Sequence, residues 1–127
     1  MKENKISIVI NKPVQEVFTF TINPKNTPKW IDGIKEEQIS EQPVKVGTIY
    51  KNTNNGKDWD IYQVIEFERN KLFTLKQQDS SYHVRYTYEP LDEVMTRFTY
   101  FEWNKDGLTN PFSVQVLERL KVIIENS

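Results

Sequence analysis

Apolar residues recur along this chain at two different spacings. Near the start, Ile6, Ile8 and Ile10 occupy every second position, which predicts a β-strand. A helix is then predicted to begin at residues 11–13, because Asn is a good cap and Pro suits the first turn. Its apolar residues share one helical face: Val14, Val17, Phe18 and Ile22. A second short helix is predicted over residues 24–30.

From residue 34 onward the apolar spacing is two. It predicts six further strands, over residues 34–41, 47–53, 57–68, 72–77, 82–89 and 94–103. The strand over 34–41 is short of apolar residues and rich in charge, which is typical of a sheet edge. Asn54-Asn55-Gly56 signals a tight hairpin, because Asn and Gly tolerate a positive φ.

The last predicted element is an amphipathic helix over residues 112–125. Asn110 is the predicted cap and Pro111 the first helical residue. The apolar stripe of this helix is predicted to cover the sheet and comprises Phe112, Val116, Leu120 and Ile123, with Leu117 and Ile124 beside it.

This order of elements predicts an α+β fold in a single domain, residues 1–127. We expect a curved antiparallel sheet of about seven strands wrapped around the long C-terminal helix, with two short helices between the first two strands. Such an arrangement usually leaves a cavity between sheet and helix. A chain of 127 residues is long enough for one hydrophobic core.

Composition excludes several classes of function. The net charge is −1 and the basic residues form no block, which argues against a nucleic-acid partner. The absence of cysteine excludes disulfides, thiol catalysis and thiolate metal sites. No apolar stretch is long enough for a membrane span or a signal peptide, so a cytoplasmic protein is expected.

Strand parity predicts which side chains face the core. In the strand over 57–68, Gln63 shares a face with the apolar residues Trp59, Ile61, Ile65 and Phe67, and we expect this face to be buried. Tyr62 and Val64 are then expected outside. The amide of a buried Gln either makes hydrogen bonds to neighbouring residues or is available to bind a ligand. The sequence leaves both interpretations of Gln63 open.

The same reasoning applies to the later strands. The inward residues are predicted to be Phe73 and Leu75, then Tyr82, Val84, Tyr86 and Tyr88, then Val94, Thr96, Phe98 and Tyr100. The last set is preferred because the opposite choice would bury Arg97. It leaves Phe101 and Trp103 outside, where they are candidates for a homodimer surface.

The predicted cavity defines a set of candidate ligand-binding residues: Trp30, Tyr50, Trp59, Gln63, Phe73, Tyr86, Tyr88, Phe98, Tyr100, Leu117 and Lys121. Two interpretations of the aromatic residues stay open. They either fill the core, or they form the wall of a pocket that offers a few hydroxyl and amide hydrogen bonds. Lys121 is either solvated or close to the cavity mouth.

No catalytic signature stands out. The single histidine, His83, is predicted on the outer face without a second histidine or a cysteine, so neither a triad nor a zinc site is supported. The four glycines form no phosphate loop. We therefore predict no metal and no cofactor and assign no catalytic residue. Glu102, at the end of an inward face, is a candidate base at the cavity rim.

Several segments, in order, resemble the SRPBCC superfamily, also called START-like or helix-grip proteins, and within it the small bacterial polyketide cyclase/dehydrase-like group. Residues 13–18 are similar to its P-x-x-x-V-[FW] opening, and residues 23–30 to its D/N-P-x-x-x-P-x-W segment. Residues 46–48 match its x-G-T strand start. Residues 59–73 resemble its W-x-V-x-E-x-x-P-x-x-L-x-[FW] strand pair, with Arg69-Asn70 in place of the usual proline turn, and residues 117–125 resemble its terminal L-x-x-L-K…E.

The resemblance covers nearly the whole chain and implies a helix-grip fold with a deep apolar cavity. Members of the superfamily bind lipids, sterols, hormones or polyketides, and some cyclise or dehydrate them, so the fold does not decide function. The favoured hypothesis is a binder of a small hydrophobic or aromatic molecule. The alternatives are a cyclase or dehydratase that uses Tyr hydroxyls and Glu102, and a protein-interaction module that uses Phe101, Trp103 and Tyr62.

Overall fold

A seven-stranded antiparallel sheet and three helices make up the protein. The computed structural model describes all residues, 1–127. The elements in chain order are β1 Glu3–Ile10, α1 Val14–Ile22, α2 Thr27–Trp30, β2 Glu36–Ile39, β3 Ile49–Thr53, β4 Trp59–Glu68, β5 Leu72–Gln77, β6 His83–Asp92, β7 Met95–Trp103 and α3 Val114–Glu125.

The strands lie in the order β1-β7-β6-β5-β4-β3-β2, so the first strand pairs with the last. Helices α1 and α2 carry the chain from β1 to the opposite edge, where β2 lies. The sheet is not closed, and β1 and β2 are its edges. Helix α3 packs against β1 and α2 and buries Leu117, Leu120 and Ile124. The predicted fold class is confirmed.

Helix α3 begins two residues later than predicted. Ser113 is its cap, so the prediction of Asn110 as cap and Pro111 as first helical residue is wrong. The cause lies at Phe112, whose backbone N–H donates to the Glu102 carboxyl group over 2.7 Å. The Phe112 ring stacks on Tyr100 with 4.2 Å between ring centroids. These two contacts hold Phe112 in the segment before the helix.

A β-bulge in β4 overturns the predicted face of that strand. Val64 pairs with Leu75 and Glu66 with Thr74, which leaves Ile65 without a partner. The extra residue reverses the parity.

Only one of the predicted inward residues of β4 therefore faces inward. Phe67 packs against the core, whereas Ile61 and Ile65 are exposed and Gln63 lies on the outer face. Trp59 also lies on the outer face, under the Lys51 ammonium group. Val64 is fully buried and Tyr62 packs against the core. The predicted orientations of Trp59, Gln63, Ile61, Ile65, Tyr62 and Val64 are all wrong.

The later strands follow the prediction except at one position. Val94 precedes β7 and is 60% exposed, so its inward assignment is wrong. Phe101 and Trp103 lie on the outer face as predicted, half-buried and stacked on each other. His83 stacks on Trp103 at 4.7 Å, and the Arg85 guanidinium lies 5.1 Å from the same ring. The homodimer stays a prediction.

Glu102 is buried, although its charge would favour an exposed position. It is 1% exposed. Its Oε2 atom accepts hydrogen bonds from Asn4 Nδ2 at 3.0 Å and from the Phe112 backbone N–H. Its Oε1 atom accepts one from the Tyr82 hydroxyl at 2.8 Å. One carboxyl group therefore joins β1 and β7 to the residue before β6 and to the segment before α3.

Replacement of Glu102 by Ala is expected to lower the free energy of unfolding by about 2–4 kcal/mol, because it removes the acceptor of three hydrogen bonds from partly buried donors on Asn4, Tyr82 and Phe112. Glu102→Gln is expected to cost less, since its amide oxygen can replace Oε2. Urea unfolding at pH 7 measures both. A loss below about 1 kcal/mol for Glu102→Ala would show that these bonds contribute little.

Candidate functional site: a tyrosine-lined cavity

A cavity of about 210 Å³ lies between the sheet, helix α2 and the segment before α3. The α2 side and the loop after it contribute Thr27, Ile31, Gly33 and Ile34. The sheet contributes Glu37, Asn52, Asp60, Tyr62, Leu75, Tyr82, Val84, Tyr86 and Tyr100, and Phe112 completes the wall. The lining is mostly apolar and aromatic, with a few polar groups among the rings. This composition is typical of small-molecule sites.

Two of the six tyrosines hold helix α1 in place. The Tyr50 hydroxyl donates to the Ile22 carbonyl at 2.6 Å. The Tyr88 hydroxyl and Thr21 Oγ1 lie 2.5 Å apart in a buried hydrogen bond. The protein itself therefore supplies the hydrogen-bond partners of both hydroxyls, and neither tyrosine lines the cavity.

The other four tyrosines line the cavity, and they divide into two pairs. Tyr82 donates to Glu102, and its hydroxyl lies 3.4 Å from that of Tyr100. Tyr62 and Tyr86 make no side-chain hydrogen bond within the protein, and Tyr86 is only 6% exposed. Burial raises the pKa of both phenols, so both are protonated donors at neutral pH. The cavity wall therefore carries two hydroxyls that are available to a ligand.

Glu37 places a carboxyl group in the same wall. Its Oε1 atom accepts from Thr27 Oγ1 at 2.5 Å, and its Oε2 atom accepts from Asn52 Nδ2 at 3.3 Å. Burial raises the pKa of Glu37 to about 7, although these two hydrogen bonds act in the opposite direction. No Lys, Arg or His lines the cavity to offset this burial. The side chain can therefore exist in either protonation state near neutral pH.

The structure distributes the predicted site residues over four places. Of the eleven, only Tyr86 and Tyr100 line the cavity. Six others are buried in the surrounding core: Trp30, Tyr50, Phe73, Tyr88, Phe98 and Leu117. Trp59 and Gln63 lie on the outer face. Lys121 does not reach the cavity, because its Nζ donates to the Val9 carbonyl at 2.8 Å and to Glu125 Oε2 at 2.6 Å. Ligand contact by any of them stays a prediction.

The most important residue that sequence reasoning missed is Glu37. The charge-rich strand over 34–41 is predicted only as a sheet edge, and none of its residues is among the predicted site residues. A signal was present, however, because Glu37 stands two residues before Ile39, and both face the core side of β2. Parity with one apolar residue could therefore have placed this carboxyl group inside.

The chain also matches the model of a known protein family. The model of the family described as "Polyketide cyclase / dehydrase and lipid transport" matches residues 1–122. The chain belongs to this polyketide cyclase/dehydrase family. The resemblance recognised in the sequence is thereby confirmed. Comparison with curated proteins gives no match.

Solved structures support the same fold for this polyketide cyclase/dehydrase family member. A START superfamily protein from Mycobacterium smegmatis aligns with a TM-score of 0.75 and 14% identity, over 99% of each chain. The Aha1 dimer from Colwellia psychrerythraea aligns with a TM-score of 0.64 and 15% identity, over 99% of this chain and 92% of that one.

A third similar structure is a protein from a biosynthetic pathway. The di-domain ARO/CYC protein BexL, from the BE-7585A biosynthetic pathway, aligns with a TM-score of 0.63 and 15% identity, over 82% of this chain and 36% of that one. Identities this low establish the shared fold alone. None of the three helices of this family member has the length and apolar character needed to cross a bilayer.

Glu37→Gln is expected to change how stability depends on pH. The folded wild type holds a proton on Glu37 up to a pKa of about 7, whereas the ordinary value is 4.5. The free energy of unfolding should therefore fall as pH rises from about 4.5 through 7, by about 3 kcal/mol at most. Glu37→Gln should lack this fall, and urea unfolding between pH 5 and 8 measures it.

Glu36→Gln, on the neighbouring exposed position of β2, is the matched control and should keep the wild-type profile. Glu66 and Glu125 have lowered pKa values and titrate below this pH window. Parallel profiles for the wild type and Glu37→Gln would contradict a raised pKa for Glu37 in the cavity wall.

Proposed function

We propose that the protein binds a small, largely apolar molecule with an aromatic part in the tyrosine-lined cavity. The observation that carries this proposal is Tyr86, which lines the cavity, is only 6% exposed and makes no side-chain hydrogen bond within the protein. Buried phenols normally find a hydrogen-bond partner. A ligand with one polar atom near Tyr86 supplies that partner.

The size of the cavity limits the ligand. A volume of about 210 Å³ lies below the range of roughly 300–1,000 Å³ that is usual for drug-sized ligands. It exceeds the engineered cavity of about 150 Å³ that binds benzene. The proposal therefore favours a molecule of one or two rings, or a short chain, over a sterol or a full-length lipid.

The cavity wall also supports a second candidate function, proton transfer on a bound carbonyl compound. Glu37 and Tyr86 line the same cavity, and the negative charge of Glu37 acts on the Tyr86 phenol. The Glu37 carboxylate would accept a proton from the carbon next to the carbonyl. The C–H electron pair would form an enolate, whose oxygen accepts a hydrogen bond from Tyr86.

Val84→Phe is expected to block binding, because Val84 lines the cavity and is only 6% exposed. Titration with 2-naphthol, followed by amide NMR shifts, should give saturable changes around the cavity of the wild type. The filled variant should bind at least about tenfold more weakly.

Ser7→Phe, which adds the same ring on exposed β1, is the matched control for this experiment. A folded Val84→Phe variant that binds as tightly as the wild type would place the ligand elsewhere. Absence of any binding by the wild type would contradict the proposed function.

Proton transfer is tested by hydrogen–deuterium exchange at the carbon next to the carbonyl of 2-tetralone in D₂O, measured by NMR. The protein-catalysed rate should rise with pH through about 7, where Glu37 ionises. Glu37→Gln should lower the rate by about 100-fold or more. The Glu36→Gln control should not change it. A wild-type rate no faster than that of buffer would eliminate this second function.

A further inference from the structure

The charged side chains around the cavity are all acidic. Glu37 and Asp60 line it, and no Lys, Arg or His does. A polar recess of about 390 Å³ adjoins the cavity, since it shares Asp60, Tyr62 and Tyr82 with it, and it adds Glu102 but again no basic residue. An anionic ligand would therefore meet two acidic surfaces and find no cation to pair with.

Aromatic rings surround the same space. The Tyr62 and Tyr82 rings lie 6.4 Å apart, those of Tyr86 and Tyr100 lie 5.6 Å apart, and Phe112 stacks on Tyr100 at 4.2 Å. The faces of such rings carry negative electrostatic potential and attract cations. Rings combined with carboxyl groups form the kind of wall that recognises ammonium groups.

No basic side chain of the protein supplies this positive charge. Lys121 is held by Val9 and Glu125, and Arg119 is paired with Asp32 on the exposed side of α3. The titratable groups of the sheet near Glu37 are the phenols of Tyr50, Tyr62 and Tyr86, whose pKa values the Glu37 charge helps to raise, and Asp60 shares the cavity wall. Helix α2 and the loop after it contribute only uncharged residues such as Thr27 and Ile31.

We propose that the cavity recognises a primary amine on a short chain attached to an aromatic ring. The ammonium group lies against the Glu37 carboxylate, and the ring lies among Tyr86, Tyr100 and Phe112. The volume of about 210 Å³ suits a single ring with a short chain. This inference rests on the proposed binding function and names the class of ligand.

The protonation of Glu37 gives this class of ligand a distinctive pH dependence. Burial raises the Glu37 pKa to about 7, so the carboxylate that pairs with an ammonium group forms only as pH rises through that value. A primary alkyl amine stays protonated over this range. Amine affinity should therefore rise by roughly tenfold between pH 6 and pH 8, whereas the affinity of a neutral ligand should stay level or fall.

Three matched probes test the proposal by calorimetry or NMR titration at pH 6 and pH 8. They are 2-phenylethylamine, 2-phenylethanol and 3-phenylpropionate, which share a ring and differ in charge. At pH 8 the amine should bind roughly tenfold more tightly than the alcohol, and the propionate most weakly. Glu37→Gln should remove both the preference for the amine and its pH dependence.

Asp60→Asn, at the exposed mouth, is a second variant and should reduce amine affinity by a smaller factor. Glu36→Gln is the control and should leave all three affinities unchanged. If the alcohol binds as tightly as the amine, or the propionate binds most tightly, the amine proposal is overturned while the binding function stands. If none of the three probes binds to the wild type while 2-naphthol does, the amine proposal is overturned and the binding function stands. If 2-naphthol also fails to bind, both proposals are overturned.

Discussion

The buried carboxyl group of Glu102 is the interaction on which the rest of the structure depends. It accepts hydrogen bonds from three segments that are far apart in sequence, at Asn4, Tyr82 and Phe112. Burying a carboxyl group is costly unless its oxygens find donors. Here amide, phenol and backbone donors supply them without a basic residue. The position of Phe112, and with it one wall of the cavity, follows from this arrangement.

Tyrosine serves two purposes on the inner face of the sheet. Tyr50 and Tyr88 use their hydroxyls to fix helix α1, so that end of the interior is closed by the protein's own hydrogen bonds. Tyr62 and Tyr86 lie on the other side, where α2 and the loop after it offer them no partner. Two tyrosines thus close the α1 end of the interior. The other two leave free hydroxyls at the α2 end, where a polar atom of a ligand can bind.

Periodicity was sufficient to predict the sheet, the terminal helix and the inward faces of β5 to β7. The inward residues of those strands alternate without interruption, since the irregularity in β6 lies beyond them, between Pro90 and Asp92. It failed in β4, where both faces carry apolar residues and the unpaired Ile65 reverses the parity between Val64 and Phe67. A bulge leaves no local composition signal in this strand. Glu37 was missed for a different reason, since charge in a short edge strand normally indicates solvent exposure.

The dispersal of the predicted site residues has a related cause. Strand parity identifies which side chains face inward, but it does not separate those that fill the core from those that border a cavity. That distinction depends on the positions of α2 and of the segment before α3 relative to the sheet. Both positions are set by long-range contacts, such as that between Glu102 and Phe112, that no local pattern encodes.

The three tryptophans occupy environments that differ in their optical properties. Trp30 is fully buried, with its ring 5.9 Å from Tyr86 and its indole N–H unpartnered. Trp59 and Trp103 lie on the outer face beneath Lys51 and beside His83. The intrinsic emission of the folded chain is therefore a sum of one apolar, blue-shifted fluorophore in contact with the cavity wall and two fluorophores next to cationic or ionisable groups. A chain in which Trp59 and Trp103 are replaced by Phe would carry a single built-in optical probe of its own interior.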